Sequence, residues 1–367
     1  VSDYTDRLRN KSSQRKNPSE FSGESSGESI SPAIIKNQLI WAWQSTGKSG
    51  FAGSPVITSA GMIFIKDSSC RVFIIDGQSG VLKNSIDERR EFTAPVISDY
   101  EGNLVAGDRQ GYVHSIEPLS GKEVWAQKIT TFSISSKPEL VNGNAICVGE
   151  NTLFALDCKT GETKWEYVTG NHIQGDPIFS PSGSIYIISC DGTLRAMESL
   201  SGIHKYEIRI ENPHKCTNIA VSSEETLFFG NNQSRKVFAF DGKTGKLKWE
   251  NEFKGFITSP VIDKNNNLLY SCTDGKTYSF NGKTGEKLWE IFSGLHTATL
   301  SRNPFVCDNG EIMVSSQGKI LVVDPITGKT IDEIATGKAV PYFNCKNGNL
   351  LTTDYNKISS SILTWGS

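Results

Sequence analysis

Three methionines and no long apolar run are the first absences in this 367-residue chain. Without such a run no helix spans a bilayer. The formal charge of −2 excludes a general nucleic-acid or membrane-binding surface. No CxxC pair occurs, and Cys70, Cys147, Cys158, Cys190, Cys216, Cys272, Cys307 and Cys345 are scattered. This is neither a zinc pattern nor a disulfide framework. Buried, reduced thiols are expected instead, which points to a reducing, cytoplasmic compartment, with a secreted or periplasmic one as the alternative. The five histidines form no HxxxH or HxH, and no GxSxG is present, so neither a local metal signature nor a nucleophile elbow is expected. No signal peptide is visible and the chain begins at Val1, so a processed product, an excised domain or a trimmed chain is expected.

What the chain does have is glycine, 34 residues of it, in a spaced pattern. Residues 1–36 are rich in Ser, Lys and Arg without apolar periodicity, and are expected to be a disordered tail or linker. From residue 37 to 367 short apolar runs alternate with turns. An Asp-x-x-(Ser/Thr)-Gly element recurs with its glycine at Gly80, Gly121, Gly161, Gly202, Gly245, Gly285 and Gly328, 40 to 43 residues apart. A period near 40 with several short strands per unit is the signature of a β-propeller. Each unit opens with a short strand near a proline, as in Ser54-Pro-Val-Ile57 or Ser259-Pro-Val-Ile262. Its last strand carries Trp125, Trp165, Trp249 or Trp289 four residues after the turn glycine. Tyr206, Asn84 and Asp332 hold that place in other units. A large ring there is expected to fill the gap between adjacent sheets. Asp76, Asp157, Asp241 and Asp324 recur at third-strand ends, where a side chain caps a turn.

First strands begin near Ser54, Ala94, Lys137, Asp176, Thr217, Ser259, Asn303 and Val340, and the last unit lacks a fourth strand. Leu39-Ile-Trp-Ala-Trp43 is a lone fourth strand at the other end. The expectation is an all-β, eight-bladed propeller of four-stranded antiparallel blades, closed by the N-terminal strand joining the C-terminal blade.

The stretches Val237-Phe-Ala-Phe-Asp-Gly-Lys-Thr-Gly-Lys-Leu-Lys-Trp249 and Leu153-Phe-Ala-Leu-Asp-Cys-Lys-Thr-Gly-Glu-Thr-Lys-Trp165 resemble the PQQ-like (pyrroloquinoline-quinone-type) propeller repeat. The resemblance implies one of two branches. Quinoprotein dehydrogenases hold PQQ and calcium near the axis beside a disulfide of adjacent cysteines. This chain has no adjacent cysteine pair, so no cofactor, no metal and no enzymatic activity are expected. The other branch is non-catalytic and includes the lipoprotein propeller of bacterial outer-membrane assembly. By that resemblance the chain is a protein-interaction scaffold and a monomer. It would bind a protein or peptide, or a small ligand, without nucleic acid and without a membrane span. The alternatives are a ligand- or carbohydrate-binding propeller, or a C-terminal accessory domain of a larger enzyme, for example an acyl-adenylating one.

The informative positions are where the repeat varies. Phe51, Ile173, Phe256 and Leu300 stand four residues before a first-strand proline, and Phe92 three before. These connections are expected to ring one mouth of the channel, where an apolar ring docks a peptide strand or helix. Asp176, Lys215, Arg302 and Lys137 add charge there, and His172 and His214 lie in the same connections.

Overall fold

The computed structural model describes residues 51, 55–58, 60–86, 91–294, 303–316 and 318–335 with their side chains. It describes the backbone alone of strands Ile34–Gln44, Tyr342–Lys346, Asn349–Asp354 and Lys357–Trp365. All belong to one compact unit, Ala33–Ser367. The expected tail lies outside the described residues, except for residues 34–36 in the first strand.

Seven blades, each of four consecutive antiparallel strands, follow one another among the described residues. They span residues 56–86, 97–128, 139–168, 173–209, 220–252, 261–292 and 305–335, and are numbered 1 to 7 in that order. The expected count of eight blades is corrected to these seven. The start near Val340 opens no repeat of four consecutive strands; the strands that follow it are Tyr342–Lys346, Asn349–Asp354 and Lys357–Trp365. Those strands pair instead with Ile34–Gln44 from the opposite end, in the order Ile34–Gln44, Lys357–Trp365, Asn349–Asp354, Tyr342–Lys346. This composite sheet is described by backbone pairing alone. Within it Trp43 faces Ile358 and Trp41 faces Ser360. A register shift falls between Leu39 and Trp41, as one falls between Leu247 and Trp249, where Trp249 faces Ala239. By register, then, Trp41 and not Trp43 holds the position of the recurrent outer-strand ring.

The repeat sequence explains the blade. Second strands such as Thr226–Asn231 and Ser184–Ser189 are buried along their length, because neighbouring sheets cover both faces. Outer strands such as Leu247–Glu252 are exposed at every second residue or more. At the 3–4 turn, Asp241 Oδ1 accepts the amides of Lys243 (3.1 Å) and Thr244 (2.9 Å). Those bonds hold its carboxyl below the usual range; the Thr244 hydroxyl contributes first. The turn glycine answers two demands at once. Gly285 has φ +74°, and a Cβ there would lie 2.7 Å from the Trp249 ring of the preceding blade. The Trp249 Nε1–H donates to Gly282 O at 3.0 Å, as Trp125 does to Cys158 O at 2.8 Å and Trp289 to Pro325 O at 2.9 Å. Each outer-strand ring therefore seats beneath the turn of the next blade. Where Asn84 replaces the ring, its amide reaches Pro118 O (2.9 Å) and Leu119 O (3.0 Å), keeping the hydrogen bonds without the apolar fill.

Candidate functional site at the propeller mouth

Two kinds of loop build one face of the propeller: the hairpins between second and third strands, and the connections between blades. They are tied together by main-chain bonds. Cys190 N donates to His172 O (2.7 Å), Asn232 N to Lys215 O (2.8 Å), Thr273 N to Phe256 O (2.8 Å) and Arg109 N to Glu91 O (3.1 Å). These four connections are thus clamped on the hairpin of the blade they enter, while the connection 129–138 is held to the hairpin it leaves, by Ile129 N to Gly111 O (3.0 Å) and Ile134 N to Asp108 O (3.0 Å), which gives the face a rigid backbone for presenting side chains.

The expected apolar ring divides. Phe92 is fully buried and Ile173 is 8% exposed, both within inter-blade cores. Phe51 is half-buried, with its ring edge-on to Phe73 at 6.2 Å. Phe256 is 54% exposed, because the residue that bridges its hairpin is Ile257, paired with Cys272 and 3% exposed. Phe51, Phe92 and Cys216 occupy that bridging place against Asp67, Asp108 and Asn231. The interval from the bridging residue to the proline varies between three and four residues, so counting back from Pro260 lands one residue early. Leu300 and Arg302 lie outside the described residues.

The polar candidates fall on blades 3 to 5. The His172 ring is exposed, with Nδ1 3.7 Å from Glu150 Oε1. His214 and Lys215 are exposed on a 3-10 turn, Pro213–Lys215. Asp176 is half-buried and accepts Lys137 N (2.6 Å) and Asn218 Nδ2 (3.2 Å). Burial raises its pKa against those two bonds, and burial likewise raises that of Glu139, which faces Lys137 at 3.9 Å. Gln174 Nε2 reaches Cys216 O at 2.8 Å, so the first strand of blade 4 is stitched to the connection that enters blade 5. Sequence reading missed Phe132, 54% exposed in the connection between blades 2 and 3. The place four before Pro138 there is Ile134, which is 1% exposed. The connection, residues 129–138, is no longer than those at 87–96 and 210–219, so its length gives no sign that a further side chain stands out.

Near the axis, a cavity of about 580 Å³ is bounded by the inner strands of blades 1 to 3, including Val56, Ile57, Ile97, Lys137 and Glu139. Its one ammonium, Lys137, is matched by Glu139. Thr58, Ser98, Asp99 and Tyr100 also line it, and two carboxylates against one ammonium do not fit a flat, polyanionic quinone. Among the described residues no group of three or more His, Cys, Asp or Glu is placed to hold a metal ion.

Comparison with known proteins bears on this arrangement. The outer membrane protein assembly factor BamB of Yersinia pestis is 23% identical over 250 residues, 62% of this chain and 63% of that protein. The chain thus spans less than two thirds of that relative's length. The solved structure of BamB from Moraxella catarrhalis superposes with a TM-score of 0.70 at 18% identity, covering 89% of this chain and all of that one. The quinohemoprotein alcohol dehydrogenase of Comamonas testosteroni shares the fold as well, with a TM-score of 0.69 at 12% identity over 94% of this chain and 79% of that one. The family model described as outer membrane protein assembly factor BamB matches residues 109–218 and 209–341, more than half of the sequence. On that match, the chain belongs to the BamB family of PQQ-like repeat propellers.

Proposed function

We propose that this propeller is a non-catalytic interaction scaffold in outer-membrane protein assembly, and that it holds a protein partner on its mouth face. The observation that carries the reading is the clamped mouth itself. Connections fixed by main-chain bonds present exposed Phe132, His172, His214, Lys215 and Phe256, with Asp176 anchoring the seam below. A rigid, mixed apolar and charged surface suits a protein partner, since its anchors are ordered before binding. Its family supports placement at the outer membrane, on the periplasmic side, over the cytoplasmic compartment read from the cysteines. The thiols do not oppose this. Burial pushes Cys158 and Cys216 up to about 12 and Cys272 up to about 11, and such thiols are poor nucleophiles in any compartment.

A complementation assay tests the reading. In a strain lacking the gene, Phe256→Asp and Lys215→Glu should fail to restore outer-membrane protein levels, while Leu200→Asp and Ile203→Asp on the opposite face should restore them. Full activity of both mouth variants at normal protein abundance would contradict it.

A further inference from the structure

The junctions between blades 4 and 5 and between blades 5 and 6 are built on the same plan and filled differently. At the second, Tyr270, Tyr278 and Phe280 form a three-ring cluster with centroids 5.6 to 6.2 Å apart. Phe253, just past the outer strand of blade 5, inserts edge-on among them. Its ring lies 4.7 Å from Tyr270, 5.8 Å from Phe280 and 5.9 Å from Tyr278, at 73° to 80°. This is the edge-to-face geometry that aromatic quadrupoles favour.

At the first junction, strand register places Phe229, Phe238 and Phe240 at the positions of Tyr270, Tyr278 and Phe280. Their centroids lie 5.4 to 6.2 Å apart, so the three-ring cluster is reproduced. The residue in the place of Phe253 is Ile210, four after Tyr206 as Phe253 is four after Trp249. An isoleucine is smaller than the ring it replaces, and a cavity of about 270 Å³ stays open over the cluster. Roughly 150 Å³ of apolar cavity is enough to take up benzene. The polar lining is Arg209, Glu211, Asn231, Ser234 and the ion pair of Lys236 with Glu250. It adjoins the mouth connection, where Asn231 Nδ2 donates to Glu211 O at 2.7 Å.

We infer that the junction of blades 4 and 5 is a receptor pocket for an aromatic side chain presented by a protein partner. The molecule itself shows the fit, because Phe253 occupies the equivalent space one blade on. A peptide-borne ring suits the opening better than a free small molecule. The rim offers guanidinium, carboxylate and amide groups for a flanking main chain, and the charges of Lys236 and Glu250 beside the phenylalanine rings are paired with each other. That the ring comes from the partner held at the mouth rests on the function proposed above. The pocket's preference for an aromatic group does not.

Titration with N-acetylphenylalaninamide tests it, read on isoleucine methyl resonances with N-acetylalaninamide as the control. Saturable shifts are expected at Ile210 and Ile208 with the phenylalanine probe and at least tenfold weaker ones with the alanine probe. Ile210→Phe should plug the pocket and abolish the shifts. Phe253→Ala should open a second site that binds the same probe at the next junction. No saturable shift in the wild type, or unchanged binding by Ile210→Phe, would overturn the pocket. Tighter binding of benzyl alcohol than of the peptide-like probe would overturn the assignment to a partner's side chain. Neither result depends on the mouth contacts, which the complementation assay reads separately.

Discussion

Replacing Glu311 with Gln should stabilise the protein in alkaline solution and do little in acid. Glu311 is 3% exposed, and neither carboxyl oxygen has a hydrogen-bond partner. The repeat explains its isolation. In blades 4 and 5 the same position holds Ser184 and Thr226, each taking a 2.8 Å bond from Lys205 or Lys248, three residues beyond the turn glycine. In blade 7 that place is Ile331, so no ammonium arrives. Burial first pushes the Glu311 carboxyl from 4.5 to about 7, opposed by Asn309 and aided by the charges of Asp324 and Asp332. The ionised form is therefore disfavoured in the folded state. Its cost is absent below about pH 4, grows as pH rises, and is complete above 7. At about 1.4 kcal/mol per pKa unit, a rise of this size costs about 3 kcal/mol. Urea unfolding of Glu311→Gln should show a gain of about 2–3 kcal/mol at pH 8.5, and under about 1 kcal/mol at pH 5. An equal gain at both values, or a loss at pH 8.5, would refute the reasoning.

Two further predictions concern the frame. Trp249→Ala removes a ring packed on Phe228 and a hydrogen bond to Gly282, and should cost about 3 kcal/mol. Gly285→Ala alone should also destabilise, because its Cβ meets that ring. The double variant should cost less than the sum of the two, and additivity in urea unfolding would contradict the shared contact. The thiols of Cys158, Cys216 and Cys272 should resist iodoacetamide at pH 8 in the folded protein and react on unfolding. Rapid native labelling of any one, read by mass spectrometry, would contradict its raised pKa.

Much of this frame was legible in the sequence, because a repeat prints its contacts at fixed intervals. The glycine at each turn and the ring four residues later are two halves of one inter-blade contact, so both recur with the blade. The caps at Asp157 and Asp241 are local and were equally plain. Blade number was less secure, because a strand start does not reveal whether three partners follow it in the chain. The pairing of the two chain ends was visible, but which tryptophan holds the ring position depends on a register shift, and that shift put Trp41 there. The mouth was hardest to read. Phe92 and Phe256 look alike beside a proline, yet one residue of register sends the first into a core and the second into solvent. The open junction at Ile210 could be seen only once Phe253 was found filling its twin.

The central claim is that the partner meets the mouth face. The direct measurement is photo-crosslinking in cells, with a benzophenone amino acid placed singly at Phe132, Lys215 and Phe256 and, on the opposite face, at Leu119, Leu200 and Ile203. The account predicts a discrete protein adduct, the same one, from the three mouth positions and none from the other three. Adducts confined to the opposite face, with a silent mouth, would contradict it.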